Sequence, residues 1–161
     1  RMFGREATED PALIDPRNVV TNALDLMGEQ LRLAGIEVVT EFPEDSPCVL
    51  GHIIQMEQVI INLLTNARDA MSERGGAMKI TLRVFVDQQH LHITSEDTGG
   101  GIAQNALSRI FEPFYTTKEM GKGTGLGLSV GYGIIRDMGG TITAENINDG
   151  ARFTITLPRV S

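Results

Sequence analysis

Asn62, Asn66 and Asp69 stand four and then three residues apart, the spacing that stacks side chains along one side of a helix. At about 100° per residue they share an arc of about 60°, against the edge of an arc of roughly 140° that holds Val59, Ile60, Leu63, Leu64, Ala67, Ala70 and Met71. Asn is a middling helix former, so propensity does not explain two of them stacked there. Two readings stand: a solvated helix face, or a polar seam whose carboxamide oxygens serve a hard cation such as Mg²⁺, which takes oxygen ligands and bridges phosphate oxygens.

Asp97-Thr98-Gly99-Gly100-Gly101-Ile102 follows an apolar, β-branched run. A carboxylate at a strand end can accept from an exocyclic amino group while glycine backbone lies under a flat ring; the plainer reading is a tight turn with a polar first residue. Gly121-Lys122-Gly123-Thr124-Gly125-Leu126-Gly127-Leu128-Ser129 leads straight into a helical segment. Glycine backbone can lie close against a ligand, and a helix beginning there turns unpaired N–H groups toward an anion. The run is either a phosphate cradle, with Lys118 and Lys122 adding charge, or a flexible loop before a packed helix. Between these two motifs lies Ile110-Phe111-Glu112-Pro113-Phe114-Tyr115-Thr116-Thr117-Lys118. Aromatic side chains in a loop need something to pack on, so this one is expected to dock on the body or on a partner. His52, His90 and His92 have no Cys or acidic partner at metal-ligand spacing and read as surface or structural residues, with His90 and His92 on the solvent side of a strand.

These residues need elements to position them. Asp15 caps a helix that starts at Pro16, carries Val19, Val20, Ala23, Leu24, Met27 and Leu31 at helical spacing, and stops at Gly35. A strand over Ile36–Phe42, a turn over Pro43–Pro47 and a helix over Ile53–Met71 follow. Met78–Val86 and Leu91–Ser95 form a hairpin, and residues 99–125 form a long loop of the kind that is usually functional. A helix over Leu126–Met138 and a closing hairpin, Thr141–Glu145 with Ala151–Leu157, complete the order. That order predicts an α+β fold: a two-layer α/β sandwich, mixed sheet with helices on one face.

The 161 residues, 41% hydrophobic and 22% charged, suit one domain with its own core. The formal charge of −7 and scattered basic residues argue against nucleic acid, and a polyanionic ligand on such a chain needs a cation and local Lys or Arg. No apolar run approaches membrane-spanning length and no signal-peptide pattern opens the chain, so this piece is expected to be a soluble cytoplasmic domain without direct membrane contact. It begins at Arg1, as a fragment of a longer protein would, so any inner-membrane anchor would lie outside it. Cys48, in the apolar run Pro47-Cys48-Val49-Leu50, is expected to be a buried, inert thiol.

Taken in order, the motifs resemble the catalytic ATP-binding domain of bacterial sensor histidine kinases, within the Bergerat-fold ATPase class shared with gyrase, a heat-shock chaperone family and mismatch-repair ATPases. Residues 58–70 look like its N box, residues 97–102 its first glycine box, Phe111 to Lys118 its F box and Gly123 to Leu128 its second glycine box. The likeness covers roughly residues 15–159. Asn-Ala-Arg-Asp-Ala-Met and Phe-Tyr-Thr-Thr-Lys look most like the nitrogen-regulation and dicarboxylate-sensing kinases.

The resemblance implies a domain over residues 15–161, with residues 1–14 as linker and tail of an upstream dimerisation helix and residues 103–124 as a mobile ATP lid. It implies ATP and Mg²⁺ as ligands. Asn66 becomes the principal Mg²⁺ ligand, with Asn62 nearby and Asp69 beside them, and Asp97 the adenine-binding carboxylate, with Gly99, Gly101 and Ile102 under the ring. Gly125, Leu126, Gly127 and Leu128 become phosphate-binding backbone, joined by Thr117, Lys118, Lys122, Gly123 and Thr124; Asn66 and Lys118 become the groups that act on the phosphates. The implied partners are the phosphoacceptor helices of the same kinase, homodimeric at full length, and a cognate response regulator. Hydrolase relatives carry a base glutamate where this chain has Asn62, which points to phosphoryl transfer over hydrolysis. Ala151 stands where relatives often carry Thr, a change expected to weaken nucleotide affinity.

Overall fold

The computed structural model describes residues 10–115 and 126–160. Asp15 caps α1 (Pro16–Leu33) by accepting from the Arg17 backbone N–H at 2.9 Å, and Gly35, at φ 80°, turns the chain out of it. The second helix, α2 (Ile53–Arg74), runs three residues beyond its expected end and stops at Gly75, at φ 77°. It packs between α1 and α4 (Gly127–Asp137). The three helices lie on one face of a five-stranded sheet in the order β2 (Glu37–Glu41), β4 (Lys79–Val86), β5 (His90–Asp97), β7 (Gly150–Pro158), β6 (Thr141–Ile147), with β2 and β4 parallel and the other neighbours antiparallel. This is the expected two-layer sandwich with a mixed sheet.

Period-two alternation sorts the sheet residues. Ile80, Leu82, Val84, Leu91, Ile93, Phe153, Ile155 and Leu157 point inward and meet the apolar arc of α2 and its partners Val20, Leu31 and Ile135. The opposite face carries a ladder of ion pairs crossing all five strands: Glu41–Arg83 at 2.7 Å, Arg83–Glu96 at 2.7 Å, Glu96–Arg152 at 3.0 Å and Arg152–Glu145 at 3.2 Å. Sharing each arginine between two carboxylates spreads the entropy of ordering it over two contacts, although exposed pairs of this kind contribute about 0–1 kcal/mol each.

Two short strands are not foreseen by the sequence pattern. Ala12–Ile14, inside the stretch expected to be linker, forms β1 and pairs antiparallel with β3 (Val49–Gly51). Three-residue strands are too short to show periodicity; burying Ile14 and Val49 against the core is what holds them. Cys48 is half-buried rather than buried, and it bridges Val160 at the margin of this small sheet.

Gly150 opens β7 where the chain passes over the end of β5. A Cβ there would run into the Asp97 carbonyl oxygen, so only glycine admits this approach. Gly150→Ala should cost about 1–3 kcal/mol of stability, as an overpacked core position does, measurable by urea denaturation.

Candidate nucleotide site

Helix α2 places its polar seam beside the N-terminus of α4. The Asn62 carboxamide donates from Nδ2 to the Gly127 carbonyl at 2.9 Å, and its Oδ1 accepts from Gln58 Nε2 at 2.8 Å. One side chain thus ties residues 65 apart and fixes where α4 begins. The Leu126 side chain does not cap that helix, whose first turn holds Gly127 and Leu128. Its N–H groups and dipole make it a place for an anion. Asn66, one turn further along α2, is half-buried and its side chain has no hydrogen-bond partner among the described residues. Asp69 is half-buried and faces Arg68 Nε at 3.3 Å.

Asp97 ends β5, which runs two residues past its expected end at Ser95, and it is only 6% exposed. Its Oδ1 accepts from the Gly99 N–H at 2.8 Å and the Ala151 N–H at 3.4 Å. Burial pushes the carboxyl above its ordinary pKa; the two N–H donors oppose the shift without cancelling it. Gly99 lies on α2: a Cβ there would stand 2.8 Å from the Ala70 Cβ. Ala70 is four residues past Asn66, so the glycine turn rests one helical turn from the Asn seam. Gly101 has φ 89° and little room beside Asn146, and Ile102 packs partly against the core.

The stretch expected to be a lid is described as far as Tyr115. It contains a one-turn helix, α3 (Gln104–Leu107), followed by turns. Phe111 does dock, 5.4 Å from the Tyr132 ring and 6.2 Å edge-on from Phe153. Tyr115 lies under the Arg109 guanidinium at 4.6 Å, and Phe114 is 74% exposed. Thr117, Lys118, Lys122, Gly123, Thr124 and Gly125 lie outside the described residues.

His92 has a structural role on the sheet. His92 stacks on Phe85 at 4.9 Å, with Nε2 2.9 Å from Asp87 Oδ2 and Nδ1 3.1 Å from the Thr156 hydroxyl. That contact holds the Asp87 carboxyl well below the usual carboxylate range. His52 precedes α2 without capping it through its side chain. Sequence reasoning missed Arg74 and Asn146, which both reach the glycine turn through backbone partners distant in sequence.

Asn62, Asn66 and Asp69 thus run along α2 from the start of α4, which is bonded to Asn62, toward the glycine turn, which rests on Ala70. Residues 51–161 match the family described as Histidine kinase-, DNA gyrase B-, and HSP90-like ATPase, and the chain belongs to that family. It is 44% identical to the two-component sensor PprA of Pseudomonas aeruginosa over 98% of this chain and 18% of that protein. The chain thus spans under a fifth of this relative's length. Among solved structures, the catalytic domain of histidine kinase ThkA, nucleotide free, superposes with a TM-score of 0.83 at 28% identity, covering 95% of this chain and 100% of that one. ThkA in complex with response regulator protein TrrA matches with a TM-score of 0.77 at 26% identity, over 93% of this chain and 42% of that one. The fold is that of histidine kinase catalytic domains. No helix among the described residues is long and apolar enough to cross a membrane.

Proposed function

We propose that this domain binds ATP with Mg²⁺ and delivers the γ-phosphoryl group to a histidine on dimerisation helices outside the chain, for relay to a response-regulator aspartate. The observation that carries this reading is the Asn62–Gly127 hydrogen bond, which sets the start of α4 one turn of α2 from Asn66. Phosphate and metal then have adjoining places. The donor set suits Mg²⁺: Asn66 and Asn62 are oxygen donors beside the Asp69 carboxylate, and one lone pair of the Asn62 oxygen is already spent on Gln58, which leaves Asn66 as the principal ligand. Bound there, Mg²⁺ supplies neutralisation of phosphate charge on an acidic chain. At the other end Asp97 accepts from the adenine amino group, with Gly99, Gly101 and Ile102 along the ring.

The transfer is an in-line displacement. An imidazole nitrogen of the acceptor bonds to the γ-phosphorus, the bond to the bridging oxygen breaks, ADP leaves, and the imidazole N–H proton passes to solvent. The protein's part is positioning and charge neutralisation. Water is a poor rival nucleophile because Asn62, a neutral amide, cannot take its proton. The kinship with PprA and ThkA supports the kinase reading, and the ThkA–TrrA complex supports a response regulator as onward partner. We also place the domain in the cytoplasm, where ATP and such partners reside.

The test supplies labelled ATP and Mg²⁺ to this domain together with the upstream helices of its own full-length protein. Acid-labile, base-stable label on the helices is the expected result. Rapid release of inorganic phosphate by the domain alone would assign it to the hydrolases instead.

A further inference from the structure

The run Gly99-Gly100-Gly101 behind Asp97 joins three residues of high backbone freedom, with Gly100 and Gly101 both at φ 89°. Left to itself it would not hold one geometry. Two exposed side chains and one hairpin hold it. Arg74, at the end of α2, donates from Nη1 to the Thr98 carbonyl at 3.1 Å and to the Asp149 carbonyl at 2.7 Å. The same Asp149 oxygen accepts from the Gly100 N–H at 2.7 Å. Asn146, on β6, closes the other end: its Oδ1 accepts from the Ile102 N–H at 2.7 Å and its Nδ2 donates to the Ile102 carbonyl at 2.8 Å. A carboxamide that meets both backbone groups of one residue imitates a strand partner, and so extends the sheet by one rung where no strand exists.

We propose that Arg74 and Asn146 are positioning residues for the nucleotide, which fasten the glycine turn to the β6–β7 hairpin and so fix the Asp97 carboxylate and the backbone beneath the base. The inference rests on the nucleotide reading above and goes beyond it, since neither residue belongs to the four motifs. Nothing in this role requires either side chain to touch ATP. Both act by removing freedom from the turn before the ligand arrives, which is how preorganisation raises affinity. Because both are exposed, removing them opens no cavity in the core.

The test compares this chain with Arg74→Ala, Arg74→Lys and Asn146→Ala, reading ATP·Mg²⁺ affinity by calorimetry, amide exchange at Gly100 and Ile102 by NMR, and the thermal midpoint. Asn146→Ala should speed exchange at Ile102 and weaken ATP binding about five- to tenfold, the scale of one or two hydrogen bonds, with little change in midpoint. Arg74→Ala should do the same at Gly100. Arg74→Lys, whose ammonium has three donors, should recover most of the affinity. Faster exchange with ATP affinity unchanged would overturn the proposal, as would affinity losses that merely follow the thermal midpoint. If the unaltered chain fails to bind ATP, the nucleotide reading falls, and this inference with it; if it binds and the variants match it, this inference alone falls.

Discussion

Replacing Asn66 with alanine is expected to abolish phosphoryl transfer while leaving the fold and much of the nucleotide affinity in place. The side chain is half-buried on α2 with no hydrogen-bond partner among the described residues, so its removal breaks no hydrogen bond among them. What disappears is the proposed oxygen donor to Mg²⁺. Calorimetry on the domain should show ATP binding in the presence of EDTA nearly as for the unaltered chain, and loss of the extra affinity that Mg²⁺ brings. Transfer to the acceptor helices should fall about a hundredfold or more, the scale of losing one preorganised electrostatic contact to the reacting group. Normal Mg²⁺-dependent binding and transfer by Asn66→Ala would remove the metal assignment and leave the α4 start as the chief phosphate contact.

Asp97→Asn separates stability from binding. The replacement keeps an oxygen for the Gly99 and Ala151 N–H groups, but sets an amino group where the adenine amino group must donate. ATP affinity should drop about ten- to a hundredfold, the range for losing a hydrogen bond to a charged group. Stability should move the other way. Burial raises the Asp97 pKa in the folded state, so the folded chain takes up this proton at higher pH than the unfolded chain does. The resulting stability is fully present below the unfolded-state pKa and is lost as pH rises through the folded-state pKa. Above that window the nucleotide-free protein carries the cost of a buried charge, which the neutral carboxamide of the variant does not carry. Thermal melts from the acid range to neutrality should therefore show the variant gaining on the unaltered chain through that window and keeping the gain beyond it. A variant less stable than the parent at neutral pH would mean that the N–H donors outweigh desolvation.

Much of this site is legible in the sequence because it is built from residues close together along the chain. The three-and-four spacing on α2 by itself separates the apolar arc from Asn62, Asn66 and Asp69, and the paired strands around the glycine turn place Asp97 at a strand end. Phe111 follows from the same kind of reasoning, since an aromatic in a loop needs a surface. What escapes depends on partners that sequence does not bring together. Arg74 and Asn146 bind backbone carbonyls and an N–H contributed by residues 24 to 75 positions away, and backbone groups leave no signature in composition. β1 and β3 escape for a different reason: they are three residues long and exist because Ile14 and Val49 meet the core. Asn62 shows both sides of this. Its place on the helix is evident from spacing, but its bond to Gly127 needs the fold.

The ion-pair ladder on the helix-free face has an odd number of members, and alternation therefore ends it in the same sign at both margins. Glu41 lies on β2 and Glu145 on β6, the two strands whose outer edges have no partner within the five-stranded sheet. An unpaired strand edge is a template on which a second chain can add. Here, joining the β6 edge of one molecule to the β2 edge of another would bring carboxylate toward carboxylate, with Glu37 adding a third on the β2 side. The parity of the ladder thus works against open-ended stacking of sheets, a safeguard on solubility built into the edges themselves.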